Sequence, residues 1–222
     1  MAQKGYWVIH VSEVKDQERF LNFYQMMMAD LNKNGYKIVC NGFPTKVVEA
    51  GKMMPGIMIE FPSVEEAQSY YKSDEFQQVM KETVGNTVED VFESQWRCVS
   101  GAEGFEAKPD GKGYWVVSVL DFINDDQWQK GLAAFMDIVN SDEPKPFTFV
   151  SVGPPVETFS GVHKTTGVLE FNSMDEAISY YKSDQYAKFK YACNDEGDVT
   201  QVALRDFRIC PGSSNGQPNA KM

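Results

Sequence analysis

The chain has 222 residues, 42% hydrophobic, 13% aromatic and 24% charged, with a formal net charge of −11. That is enough apolar material for packed cores, which argues against disorder. The acidic balance, with no Lys/Arg run, argues against a nucleic-acid partner, which needs a concentrated positive surface. No apolar run is long enough for a membrane span. The opening MAQKGYWVIHV lacks the apolar stretch of a signal peptide, so the expected location is cytoplasmic. Cys40, Cys98, Cys193 and Cys210 stand far apart with no CxxC, and are expected to be free, buried thiols.

In chain order, GYWVIHV from Gly5 is a short β-rich run, apolar on both faces, as a covered central strand would be. DQERFLNFYQMMMADLNK then sets Phe20, Phe23, Tyr24, Met27 and Leu31 at helical spacing, and Asn34-Gly35 ends that helix. YKIVCN and TKVVEA read as two strands separated by Gly42 and Pro44, followed by the strand GIMIEF. Ser63 with Glu66 forms a capping box opening the next helix, and Ser73-Asp74 caps a further helical piece after a bend. VEDVFESQW closes the series as an alternating strand. The order β-α-β-(β)-β-α-β is the split-βαβ, or ferredoxin-like, plan.

The same plan is then written again. GYWVIHV at Gly5 recurs as GYWVVSV at Gly113, and IEFPSVEEAQSYYKSDEF at Ile59 recurs as LEFNSMDEAISYYKSDQY at Leu169. QWRCVSG at Gln95 resembles DFRICPG at Asp206. The expected units are residues 5–99 and 113–210, joined by a linker over 100–112 and followed by an irregular tail over 211–222. In the repeated phrase Tyr-Tyr-Lys-Ser-Asp, Tyr71 and Tyr181 are expected to face the core, with Tyr70 and Tyr180 more exposed.

The GYW strand, the Asn-Gly helix end and IEFPSVEEAQSYYKSDEFQ resemble the DUF1330 family of the dimeric α+β barrel superfamily. The likeness is nearly complete over residues 5–99 and looser in the second half, where Asn172 replaces Pro62 and SDEPKPF replaces the Asn34-Gly35 turn. It implies an α+β fold in which two ferredoxin-like units of one chain pair their sheets into a barrel. Physics agrees: each sheet has helices on one face, so its other apolar face needs cover. The chain is then a monomeric pseudo-dimer or the unit of a larger homo-oligomer.

His10 and His163 are the two histidines, with no HxH or HxxxH, and GxGxxG, P-loop and GxSxG motifs are missing. No metal and no cofactor is therefore expected. Tyr6, Glu60 and Arg97 are expected to gather at one sheet end, as are Tyr114, Glu170 and Arg208. His10, whose repeat counterpart is Ser118, is the candidate acid/base. By resemblance to superfamily members that handle small aromatic compounds, Trp7, Tyr24, Asn41, Tyr71 and Trp96 line a pocket between sheet and helices. Tyr71 is the second candidate catalytic group, and Tyr6, Glu60 and Arg97 join the substrate-binding set. Two functions fit: a cofactor-independent enzyme acting on a small, largely apolar molecule, or a non-catalytic small-molecule-binding or assembly protein.

Overall fold

The computed structural model describes residues 3–49, 51–85 and 87–213. The first series is β1 (Gly5–Val14), α1 (Gln17–Lys33), β2 (Lys37–Gly42), β3 (Lys46–Val48), β4 (Gly56–Phe61), α2 (Val64–Tyr71), α3 (Asp74–Thr83) and β5 (Phe92–Ser100). The second is β6 (Gly113–Phe122), α4 (Asp125–Asn140), β7 (Phe147–Gly153), β8 (Glu157–Ser160), β9 (Thr165–Phe171), α5 (Met174–Tyr181), α6 (Asp184–Cys193) and β10 (Ala203–Pro211). The fold is α+β, an intrachain dimeric α+β barrel of two ferredoxin-like units.

Local chemistry starts and stops the helices where the sequence says it should. Asp16 and Asn124 cap α1 and α4 by accepting from the backbone N–H three residues on. Ser63 and Ser173 cap α2 and α5 in the same way, and Ser73 and Ser183 cap α3 and α6. Gly35 follows the α1 cap in the left-handed region, at φ 74°.

Each half builds the expected antiparallel ladder, β2-β4-β1-β5 and β7-β9-β6-β10. The halves then exchange an edge strand. β8 of the second half pairs with β5 to complete one sheet, and β3 of the first half pairs with β10 to complete the other. Such an exchange leaves no local sequence signature, because it depends on which edge the other half presents.

Strand alternation sorts the side chains into three layers. Trp7, Ile9 and Val11 of β1 point to α1, α2 and α3, in a core with Trp96, Phe23 and Phe76. Trp115 and Phe207 anchor the matching core under α4, α5 and α6. Tyr6, Val8, Met58, Val99, Tyr114, Val116 and Val168 pack between the two sheets, inside the barrel. All four cysteines are buried and free. Gly212 bridges to Cys40, and the remainder of the expected tail, residues 214–222, lies outside the described residues.

The repeated tyrosines differ from expectation. Tyr70 and Tyr180 are buried, whereas Tyr71 and Tyr181 are half-buried. α2 is only eight residues long and buries Ala67 and Tyr70, an i, i+3 pair on one face. Tyr71 sits one position further round, toward the sheet edge. There Phe159 of the exchanged β8 stacks on it, with ring centroids 3.8 Å apart.

Candidate functional site

Inside the barrel, register decides which candidates meet. Tyr6 lies opposite Glu60, and its hydroxyl donates to the carboxylate at 2.7 Å. Ala107 N–H and Lys37 Nζ also bond Glu60, at 2.8 and 3.1 Å. Tyr114 and Glu170 repeat the pair at 2.6 Å. The expected trio is nevertheless only a pair, because Val99 lies opposite Tyr6 and Arg97 lies opposite Val8. That places Arg97 deeper in the barrel, where its Nε donates to Thr166 Oγ1 of the other half at 2.6 Å.

His10 is also interior. Its Nδ1 lies 3.2 Å from Ser118 Oγ and 3.5 Å from Asp206 Oδ2, and its Nε2 has no partner among the described residues. Arg208 grips Asp206 with two bonds, Nε at 2.9 Å and Nη2 at 2.6 Å, and donates to the carbonyls of Val11, Met54 and Pro55. Burial would raise the Asp206 carboxyl, but its bonds to His10 and Arg208 hold it well below the usual range. Burial, reinforced by Arg208, lowers the His10 pKa from 6.5 to about 3.

At neutral pH His10 is therefore a neutral imidazole wedged between the sheets. Because its folded pKa is depressed, its contribution to stability is full above the unfolded value. It is lost as pH falls from about 6.5 toward about 3. His163, lowered to about 3 chiefly by burial, pulls in the same direction over the same window. Urea unfolding at pH 7 and pH 5 is expected to show a loss of about 2 kcal/mol from His10 alone. His10→Gln is expected to flatten that slope, and an unchanged slope would contradict the assignment.

The remaining candidates occupy the other face of the first sheet. Trp7 and Trp96 meet edge to face at 5.1 Å, and Tyr71 packs on both. Tyr24 donates to Asn41 Oδ1 at 2.6 Å, and Asn41 Nδ2 contacts Met28 Sδ. These side chains fill the space between sheet and helices with one another. Tyr71 and His10 therefore lie on opposite faces of the same sheet and do not meet.

An open cavity of about 260 Å3 lies instead in the second half, between α4, α6 and the sheet. Its walls include Trp115, Trp128, Phe135, Phe149 and Phe189, and exposed Met136 and Val152 also belong to its lining. Comparing the copies explains the opening. Gly167 lines the cavity where the first half has Ile57, and a Cβ built on it would meet nothing within 4 Å. Gly131 of α4 stands where α1 has Phe23, and Cys193 fills its place so closely that a Cβ would collide with the sulfur.

At the cavity wall sits Arg205, the counterpart of Ser94. Its guanidinium pairs with Glu49, whose side chain is 7% exposed, and lies 5.6–5.8 Å from the ring centroids of Trp128, Phe189 and Phe207. Burial pulls the Arg205 pKa down, but Tyr186 and Glu49 beside it hold it above the ordinary value. Glu49 arrives from the first half at the end of β3, with left-handed backbone at φ 55°.

Two segments of the chain, residues 4–92 and 112–205, match the model of a domain of unknown function, DUF1330. The chain belongs to the DUF1330 family. This tandem DUF1330 chain also resembles a solved anthrone oxidase-like protein at 14% identity, with a TM-score of 0.56, covering 100% of this chain and 98% of that one. A looser likeness links it to chlorite dismutase from Candidatus Nitrospira defluvii, at 8% identity and a TM-score of 0.47, covering 95% of this chain and 91% of that one. At 14% identity the anthrone oxidase-like match speaks for the fold alone. No protein of curated function matches in sequence. Among the described residues no helix is long and apolar enough to cross a membrane, and no group of three or more His, Cys, Asp or Glu is placed to hold a metal.

Reading the sequence for polar residues pointed to the first half and passed over Gly167, Arg205 and Glu49. The usable signal was volume lost between aligned copies, glycine at 167 where the first half has Ile57.

Proposed function

We propose that this tandem DUF1330 protein binds a small, largely apolar, ring-containing molecule in the second-half cavity. The aromatic walls supply ring-stacking and dispersion contacts. The volume, about 260 Å3, falls just below the roughly 300–1,000 Å3 usual for ligand sites, which favours a small molecule. The observation that carries the reading is the side chain missing at Gly167, which opens space that Ile57 fills in the other copy.

Gly167→Ile is therefore the direct test, since the fold already accommodates isoleucine at the equivalent place. Native mass spectrometry of freshly purified protein, together with titration by a fluorescent naphthalene probe, is expected to show a bound molecule in the wild type. The variant is expected to lose about tenfold or more in affinity while its melting temperature is retained. Equal binding by both proteins would place the ligand elsewhere.

A cofactor-independent reaction on the bound molecule is the second reading. It is favoured by Glu49, a buried carboxylate on left-handed backbone beside the cavity's arginine, because such backbone concentrates at functional sites. The name of the anthrone oxidase-like neighbour points the same way. Neither His10 nor Tyr71, the acid/base candidates from the sequence, lines this cavity, so they take no part in that reading. Turnover would appear as a changed mass of the bound molecule on incubation, abolished by Glu49→Gln.

A further inference from the structure

Arg205 is the charged side chain among the residues lining the second-half cavity, and it is 3% exposed. Taken alone, a guanidinium in an apolar, aromatic-walled site would recruit an anion such as a carboxylate. The structure already supplies that anion. Glu49 reaches across from the first half, pairs with Arg205, and accepts from Tyr181 at 3.4 Å. The rings of Trp128, Phe189 and Phe207 surround the Arg205 guanidinium, and the side chains of both partners are almost fully buried.

We infer that Glu49 is a specificity-determining residue: by neutralising Arg205 it makes the cavity select uncharged ring compounds and reject their carboxylates. This rests on the second-half cavity being the binding site. A carboxylate entering the cavity would give up its hydration and meet a guanidinium whose charge Glu49 already balances, although its Nε has no partner among the described residues, with the Glu49 charge behind it. An uncharged molecule of the same shape loses far less hydration and keeps every apolar contact. Glu49 follows β3 in left-handed backbone, and strand exchange through β3 delivers it to the other copy's sheet, where it meets Arg205. Arg205 itself stands where the first half has Ser94, so the pair belongs to the half that has the cavity.

The test uses a matched pair of probes, methyl naphthoate and naphthoate, which differ in charge while sharing the ring system. On the wild-type protein, calorimetry at neutral pH is expected to give the ester at least about tenfold tighter binding. In Glu49→Gln, Arg205 is left without its counter-ion. Naphthoate is then expected to gain about tenfold while the ester is unchanged. Should that variant fail to fold, the double variant Arg205→Met, Glu49→Met removes both charges and leaves neither unpaired. It is expected to keep the ester and still reject naphthoate. Equal binding of the two probes to the wild type overturns the inference, as does an unmoved preference in Glu49→Gln or loss of the ester in the double variant. If neither probe binds, or Gly167→Ile leaves both untouched, the cavity itself is the wrong site and the inference falls with it.

Discussion

Arg208→Met is expected to destabilise the protein by about 3–5 kcal/mol, the usual cost of removing one member of a buried ion pair. Arg97→Met is expected to cost much less. The two arginines occupy equivalent places in the repeat, both wholly buried between the sheets, so burial cannot separate them. Their partners can. Arg208 closes a two-pronged bond on Asp206 and satisfies three carbonyls of the other half. Without it, Asp206 stays buried with His10 as its remaining polar contact in the cluster, and each of the three carbonyls loses a bond, although Pro55 still accepts from the Val11 N–H. In the first half the residue matching Asp206 is Gln95, and among the described residues Arg97 bonds just the Thr166 hydroxyl and the Gln95 carbonyl.

Burial, with the Arg208 charge adding to it and Asp206 only partly opposing it, lowers the Arg97 pKa to about 9, a sign that its charge is poorly compensated. A methionine of similar length gives up little there and removes a desolvated charge. Denaturant melts of both variants at pH 7 make the comparison. Equal losses would mean that the carboxylate is not what anchors Arg208. Adding Asp206→Leu to Arg208→Met should recover part of the loss, because it removes the stranded charge.

The same comparison of copies shows what the sequence could carry. Helix caps at Ser63, Ser73, Ser173 and Ser183 follow from local rules that neighbours in sequence enforce, and the four-strand ladder within each half follows from the split-βαβ plan, but the exchanged edge strands do not. The pairing of Tyr6 with Glu60 was legible because antiparallel register is fixed once the strands are known. The depth of Arg97 was not, since two residues along a ladder move a side chain by a full step. The cavity was harder still. A glycine at 167 reads as an ordinary strand glycine until the other copy's Ile57 shows what is missing. Glu49 reads as one more surface acid in an acidic chain until β3 is found on the far sheet.

Separating the halves should therefore cost more than any single substitution. A fragment ending in the segment between β5 and β6 retains α1, α2, α3 and the four strands of its own sheet, yet it loses β8 from that sheet's edge and leaves β3 without β10. Phe159 goes with β8, and with it the ring stacked on Tyr71 and set edge to face on Trp7 and Trp96. The interior face, with Tyr6, Val8, Met58 and Val99, would meet water, and Arg97 would lose Thr166. The complementary fragment loses β3 and Glu49, stranding Arg205. In the whole chain the linker holds each half at an effective concentration in the millimolar range, so that ordering both sheets becomes an intramolecular event. Each fragment alone is expected to show no cooperative melt as a monomer, while mixing the two restores one near that of the intact protein. A fragment that does fold should do so as a dimer, a second copy covering the interior face. Size-exclusion chromatography with circular dichroism melts decides it: a monomeric fragment melting within a few degrees of the whole chain would show that the exchanged strands and the barrel interior contribute little to stability.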